Sequence, residues 1–201
     1  MKTIKAVLPK MVGFFLVLVL ITGVIYPLVI TGLSRVFFNK QATGSIIEID
    51  GVKYGSELLA QEFTDDKYLW GRIMNVDSST FTNDNGETLM YGWASNKTPA
   101  GEELEAMVAE RVERLRASNP DRADEPVPVD LVTCSGSGLD PEISPAAADY
   151  QVERIAKARG ITAADVEQVI SRYTKGRTLG VFGEPRVNVL KVNLALDGIL
   201  K

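Results

Sequence analysis

Residues 11–34 read MVGFFLVLVLITGVIYPLVITGLS, which is 24 consecutive positions without a charge. A helix rises ~1.5 Å per residue, so this run reaches roughly 36 Å, enough to cross a hydrocarbon core of about 30 Å. A cleaved signal peptide is the alternative, but its apolar region usually spans only about 7–15 residues and ends in a small-x-small cleavage pattern. Here the run is longer, and its outer end reads LSRVFFNKQ. The sequence therefore predicts a retained transmembrane helix at residues 11–34, after a short segment 1–10 and before a soluble domain 35–201.

Charge divides the chain at the same place. All 26 acidic residues lie at or beyond Glu48. Residues 1–35 carry +4, and the remainder carries 18 basic against 26 acidic groups, or −8. Lys2, Lys5 and Lys10 crowd the near flank, whereas Arg35 and Lys40 are soon offset by Glu48 and Asp50. The positive-inside rule then puts the N-terminus in the cytoplasm and the body outside a membrane crossed once. Tyr26, Phe37 and Phe38 stand where interfacial aromatics fix depth, and Pro27 is expected to kink the outer third.

Two counts exclude whole chemistries. There is no histidine, so His-based zinc sites and Ser-His-Asp or Cys-His catalysis are absent. Cys134 is the single cysteine, so neither an internal disulfide nor a Cys metal cluster can form. An acidic body without basic runs also argues against nucleic acid as a partner.

The body reads as a mixed α/β (α+β) domain. Asp50-Gly51 between two apolar runs is a hairpin signal. Gly55-Ser56 is read as opening a short helix with Leu58, Leu59 and Phe63 inward. Residues 65–96 read as short strands and loops held by Tyr68, Trp70, Phe81, Tyr91 and Trp93. Thr98-Pro99 starts a helix with Leu104, Val108, Val112 and Leu115 on one face. VPVDLVTC (residues 127–134) is read as a buried strand followed by a loop. Ser144-Pro145 opens a helix over 145–159, and Thr162-x-x-Asp165 is a capping-box start for another that ends by Lys175-Gly176. The alternation from Leu190 to Leu196 predicts a strand, although Val187, Leu190 and Leu194 would also suit a helix.

One segment invites a binding role. Ser135, Gly136, Ser137 and Gly138 form a glycine loop between an expected strand and a helix N-terminus, an arrangement that can cradle phosphate. A P-loop would need Gly-Lys-Ser/Thr at its close, and Leu139-Asp140-Pro141 separates this loop from the helix. No Lys or Arg occurs between Ala123 and Glu153, while seven acids do. A tight turn with glycines at positive φ accounts for the loop equally simply and is preferred. Asp130, Asp140 and Glu142 invite a hard-cation reading, but solvated or capping roles suffice. Lys175, Arg177 and Arg186 are read as ion-pair partners of the acidic surface. No nucleophile is assembled with a base.

The stretch VPVDLVTCSGSGLDPEISPAAADYQVERIAKARG, the later YTKGRTLGVFGEPRVNVLKVNLALD, the GSELLAQEF and YLWGR segments and the single N-terminal span closely resemble the C subunit (KdpC) of the Kdp potassium-transporting P-type ATPase. Many members carry Gly-Arg-Pro-Ser where this chain reads GRIMN at 71–75, and Glu142 stands where many have His. The resemblance implies a non-catalytic accessory subunit, with no covalently bound cofactor, in a potassium importer. Its partners would be a channel-like A subunit, an ATP-hydrolysing B subunit and a small F subunit, together with membrane lipid. It also implies two roles: assembling and stabilising the complex, or acting as a catalytic chaperone that raises the ATP affinity of the B subunit. With the body outside, capping the channel-like subunit is the reading to prefer. In the second role ATP would meet Ser135, Gly136, Ser137, Gly138 and Gln151, the last otherwise a plain exposed helix residue.

Overall fold

A computed structural model describes residues 2–83 and 85–201; Met1 of the expected cytoplasmic segment and Asp84 of the aromatic-rich stretch lie outside the described residues. The chain divides into two compact units, Met1–Ile46 and Ile47–Lys201. The first is built on one helix, Lys5–Phe37, of 33 residues and long and apolar enough to cross a membrane. It comprises α1 (Lys2–Leu20), a π turn (Ile21–Ile25) and α2 (Tyr26–Phe37), with α3 (Asn39–Ala42) following. The π turn explains how Pro27 is accommodated. Proline lacks an N–H and crowds the carbonyl four residues earlier, and a wider turn relieves both problems. In that turn the Tyr26 N–H donates to the Ile21 carbonyl, five residues back. The apolar side chains of this helix, Phe14, Leu16 and Leu28 among them, are exposed, as a span needs for lipid or partner helices.

The expected hairpin, β1 (Ile46–Ile49) and β2 (Val52–Ser56), starts at the boundary residue Ile46 and opens the second unit. Asp50 and Gly51 both hold positive φ, 51° and 77°, which is the primed turn that matches strand twist. A second hairpin pairs β3 (Val76–Thr82) with β4 (Thr88–Gly92) in antiparallel register, Val76 opposite Gly92 and Phe81 opposite Leu89. Then come α4 (Glu102–Ser118), β5 (Glu142–Ile143), α5 (Pro145–Asp149), α6 (Val152–Arg159), α7 (Ala163–Arg172), β6 (Thr174–Lys175), β7 (Arg186–Asn188) and α8 (Val189–Leu196). β7 lies between β5 and β6 in a small antiparallel sheet. The core gathers Leu115, Ile143, Ile155, Val166, Val187 and Val192 from these elements, Tyr150 from the break between α5 and α6, and Leu69 and Trp70 from the loop between β2 and β3.

Four expectations change. VPVDLVTC is not a strand: Pro128 interrupts it, it makes one 3-10 turn at Val129–Leu131, and a single parallel bridge joins Cys134 to Ile73. The tail is a short strand and then a helix. Asn188 ends the strand because its side chain accepts the Lys191 N–H at 3.0 Å and caps α8. Residues 57–63 form a turn and loop with Leu58 and Leu59 exposed, since β2 runs on to Ser56. The helix expected over 145–159 breaks between Asp149 and Val152. The capping box is present as expected: Thr162 accepts the Asp165 N–H, and the Asp165 carboxylate accepts the Thr162 N–H.

Candidate functional site

Residues 135–138 close as a tight turn in which the Gly138 N–H donates to the Ser135 carbonyl at 3.2 Å. Gly138 has φ +72°, and a Cβ there would stand 2.5 Å from the Trp93 carbonyl oxygen and 2.6 Å from that of Asn75. The Gly138 carbonyl accepts the Asn75 N–H at 3.0 Å, and the next carbonyl, of Leu139, accepts the Ala60 N–H at 2.9 Å. Gly138 thus lets the loop lie directly on the backbone that leads into β3 and out of β4. Gly136 differs: its φ is not positive and nothing lies within 4 Å of its missing side chain. Gly136 and Ser137 are exposed, Ser135 is half-buried, and the Ser135 and Ser137 hydroxyls stand 3.2 Å apart.

Gln151 is not the exposed helix residue that the sequence suggests. It is 1% exposed, at the break between α5 and α6. Its Oε1 accepts the Trp70 N–H at 2.9 Å and an Arg154 guanidinium N–H at 2.6 Å. Its Nε2 donates to the Trp70 carbonyl at 3.1 Å and the Ala147 carbonyl at 3.0 Å. The amide is therefore fully used, two bonds accepted and two donated. None of these partners belongs to the 135–138 loop, so the structure does not gather the five sequence-derived residues around one shared contact.

The Trp70 clamp has a twin that sequence reasoning missed. Asn193 on α8 accepts the Leu69 N–H at 2.7 Å and donates to the Leu69 carbonyl at 2.9 Å. Two side-chain amides thus stand in for a neighbouring strand along residues 69–70, where buried backbone would otherwise be unpaired. Arg154, 5% exposed, donates to the Asp66 carbonyl and stacks 4.1 Å from the Trp70 ring. Burial lowers its pKa to about 10, with Asp66 and Asp65 opposing that shift. Arg159 adds bonds to the Lys67 and Leu196 carbonyls and an ion pair with Asp197 at 2.8 Å. An Asn inside an apolar alternation, such as VNLAL, is the signal that marks such a clamp.

The acids singled out in the sequence have separate tasks. Asp130 accepts the Ser144 N–H at 2.6 Å, Asp140 accepts the Glu142 N–H at 3.0 Å, and Glu142 pairs with Arg186 at 2.8 Å. No group of three metal-ligating side chains occurs among the described residues. Arg177 pairs with Glu184 at 2.6 Å across a loop whose apolar tip stands in solvent: Leu179 is 86%, Val181 68% and Phe182 65% exposed. That loop is closed by Thr178 and Phe182, whose backbones exchange hydrogen bonds at 2.8 and 2.9 Å. The tip is a built feature.

Comparison with known proteins gives a consistent result. Residues 8–198 match the family model described as KdpC, K+-transporting ATPase, c chain. The potassium-transporting ATPase KdpC subunit of Clostridium perfringens is 58% identical over 97% of this chain and 98% of its own length. Its counterpart from Clostridium botulinum is 57% identical over the full length of both, and that of Dechloromonas aromatica 45% identical over 98% of this chain and all of the relative.

Proposed function

This chain belongs to the KdpC family of K+-transporting ATPase c chains, and on that premise we propose that it is a non-catalytic subunit of an ATP-driven potassium importer, anchored by its span with its body on the outer face. There it assembles with and caps the channel-like subunit, beside the ATP-hydrolysing and small subunits. The observation that carries this reading is the exposed apolar tip at residues 179–182, with Leu179 at 86%. Contiguous exposed apolar side chains on a well-closed loop fit a protein contact. The charge asymmetry across the span supports the orientation.

Pull-down of the intact chain from mild detergent, with partners identified by mass, tests it. The wild-type chain retains the other subunits, and a Leu179→Ser/Phe182→Ser variant loses them while melting unchanged. Full retention by that variant would remove the tip from the contact.

A second reading has one observation in its favour. Gly136 and Ser137 are exposed and Gly136 faces open space, so an ATP phosphate has access to the loop. In that role the chain raises the ATP affinity of the hydrolysing subunit, and Gln151 acts from within the core by holding Trp70. A saturable ATP titration of the isolated chain, lost on Ser137→Glu, would favour it.

A further inference from the structure

A cleft of about 190 Å³ opens between α4 and the segment that follows the clamped residues 69–70. Three arginines line it: Arg72 on that segment, and Arg111 and Arg114 one turn apart on α4. Trp70, Leu115 and Leu131 are among its apolar lining. Glu62, exposed, is the acidic side chain of the lining.

These guanidinium groups are poorly neutralised. Arg122, Arg159, Arg177 and Arg186 each hold a carboxylate within 3.0 Å. Arg111 and Arg114 have no ion pair among the described residues; Arg111 donates to the Val132 carbonyl at 2.9 Å, and Arg114 lies 5.1 Å over the Trp70 ring. Arg72 reaches Asp140 only at 3.7 Å and donates to the Cys134 carbonyl at 3.3 Å. Its Nε is buried without any acceptor, the one such side-chain atom among the described residues. A buried N–H without a partner calls for one. In a body of net charge −8 the concentration of positive charge here is a local reversal.

We infer that this cleft is a socket for a single carboxylate on a short apolar stem, supplied by an acidic side chain of another subunit of the complex. Guanidinium forks match carboxylate geometry, and the apolar lining suits an aliphatic stem. The volume lies below the roughly 300 Å³ at which pockets for free small molecules begin, so it suits one side chain. Glu62 disfavours a doubly charged phosphate more than a carboxylate. The inference rests on the reading of the chain as an accessory subunit.

The test has two arms. In the first, the full chain in detergent, with Trp93→Phe so that Trp70 alone reports, is titrated at constant ionic strength with sodium butyrate, a monocarboxylate on an aliphatic stem, and separately with inorganic phosphate. Butyrate gives a saturable change in Trp70 emission that disappears in Arg111→Gln/Arg114→Gln. No saturable change, or a response to phosphate stronger than to butyrate, overturns the inference. In the second arm, retention of the chain by the other subunits is compared for wild type, that double variant and Arg116→Gln on the same helix. Roughly tenfold weaker retention of the double variant, with unchanged melting and an unaffected Arg116→Gln, is expected. Retention equal to wild type overturns it. Failure of the wild-type chain to be retained at all would defeat the subunit reading instead, and the butyrate arm would still decide whether the socket exists.

Discussion

Gln151 and Asn193 show how much a single buried amide carries. Each satisfies both backbone groups of one residue in a segment that no strand pairs, Trp70 and Leu69 respectively. Replacing Gln151 by Leu leaves the Trp70 N–H and C=O, the Ala147 carbonyl and one Arg154 donor without that partner. A loss of about 2–4 kcal/mol in chemical denaturation of the full chain is expected, since each orphaned buried group costs about 1–3 kcal/mol. Gln151→Glu is expected to recover part of it by pairing with Arg154. The two loop glycines separate in the same way. Gly138→Ala must both hold φ +72° and meet two carbonyl oxygens inside 2.7 Å, so it lowers stability by more than about 1 kcal/mol. Gly136→Ala is expected to stay within about 0.5 kcal/mol of wild type. Thermal melts of both variants check the contrast. The sequence marked both glycines equally, because a close approach by Asn75 and Trp93 cannot be read from neighbours on the chain.

At the scale of elements, legibility followed locality. The Asp50-Gly51 turn, the α4 stripe ending in Leu115 and the Thr162–Asp165 capping box are written in adjacent residues, and all are present in the structure. The strand expected at 127–134 failed because its apolar run is broken by Pro128, and Asp130 is committed to the Ser144 N–H. The tail was ambiguous between two periods, and the cap at Asn188 decided it. The capping box also gives a pH prediction. Hydrogen bonds from Thr162 hold the Asp165 carboxyl below its ordinary value. A carboxylate with a lowered folded pKa contributes stability that is present above its unfolded value and is lost as pH falls through the folded one. The stability difference between wild type and Asp165→Ala is therefore expected to hold through neutral pH and to shrink once pH drops below the ordinary aspartate range. Melting temperatures across an acid series check this, and a difference independent of pH would contradict it.

The whole molecule joins a greasy, basic head to an acidic body, and each unit is legible from composition before any fold is known. What composition did not reveal are the places where the body departs from its average: the apolar tip at 179–182, the arginine cleft, and the amide clamp. These depend on residues from distant parts of the chain meeting in space, as Arg72 meets the 134 carbonyl and Arg111 the 132 carbonyl. The capping role and the placing of the tip and cleft against partner subunits both require the body to lie outside the membrane, since one span cannot return it. Ser137 is exposed in the loop beside the chain's single thiol, which makes it a reporter of that side. In intact cells carrying Ser137→Cys on a Cys134→Ala background, a membrane-impermeant maleimide is expected to label the chain without lysis; labelling that appears only after lysis would place the body in the cytoplasm and contradict the account.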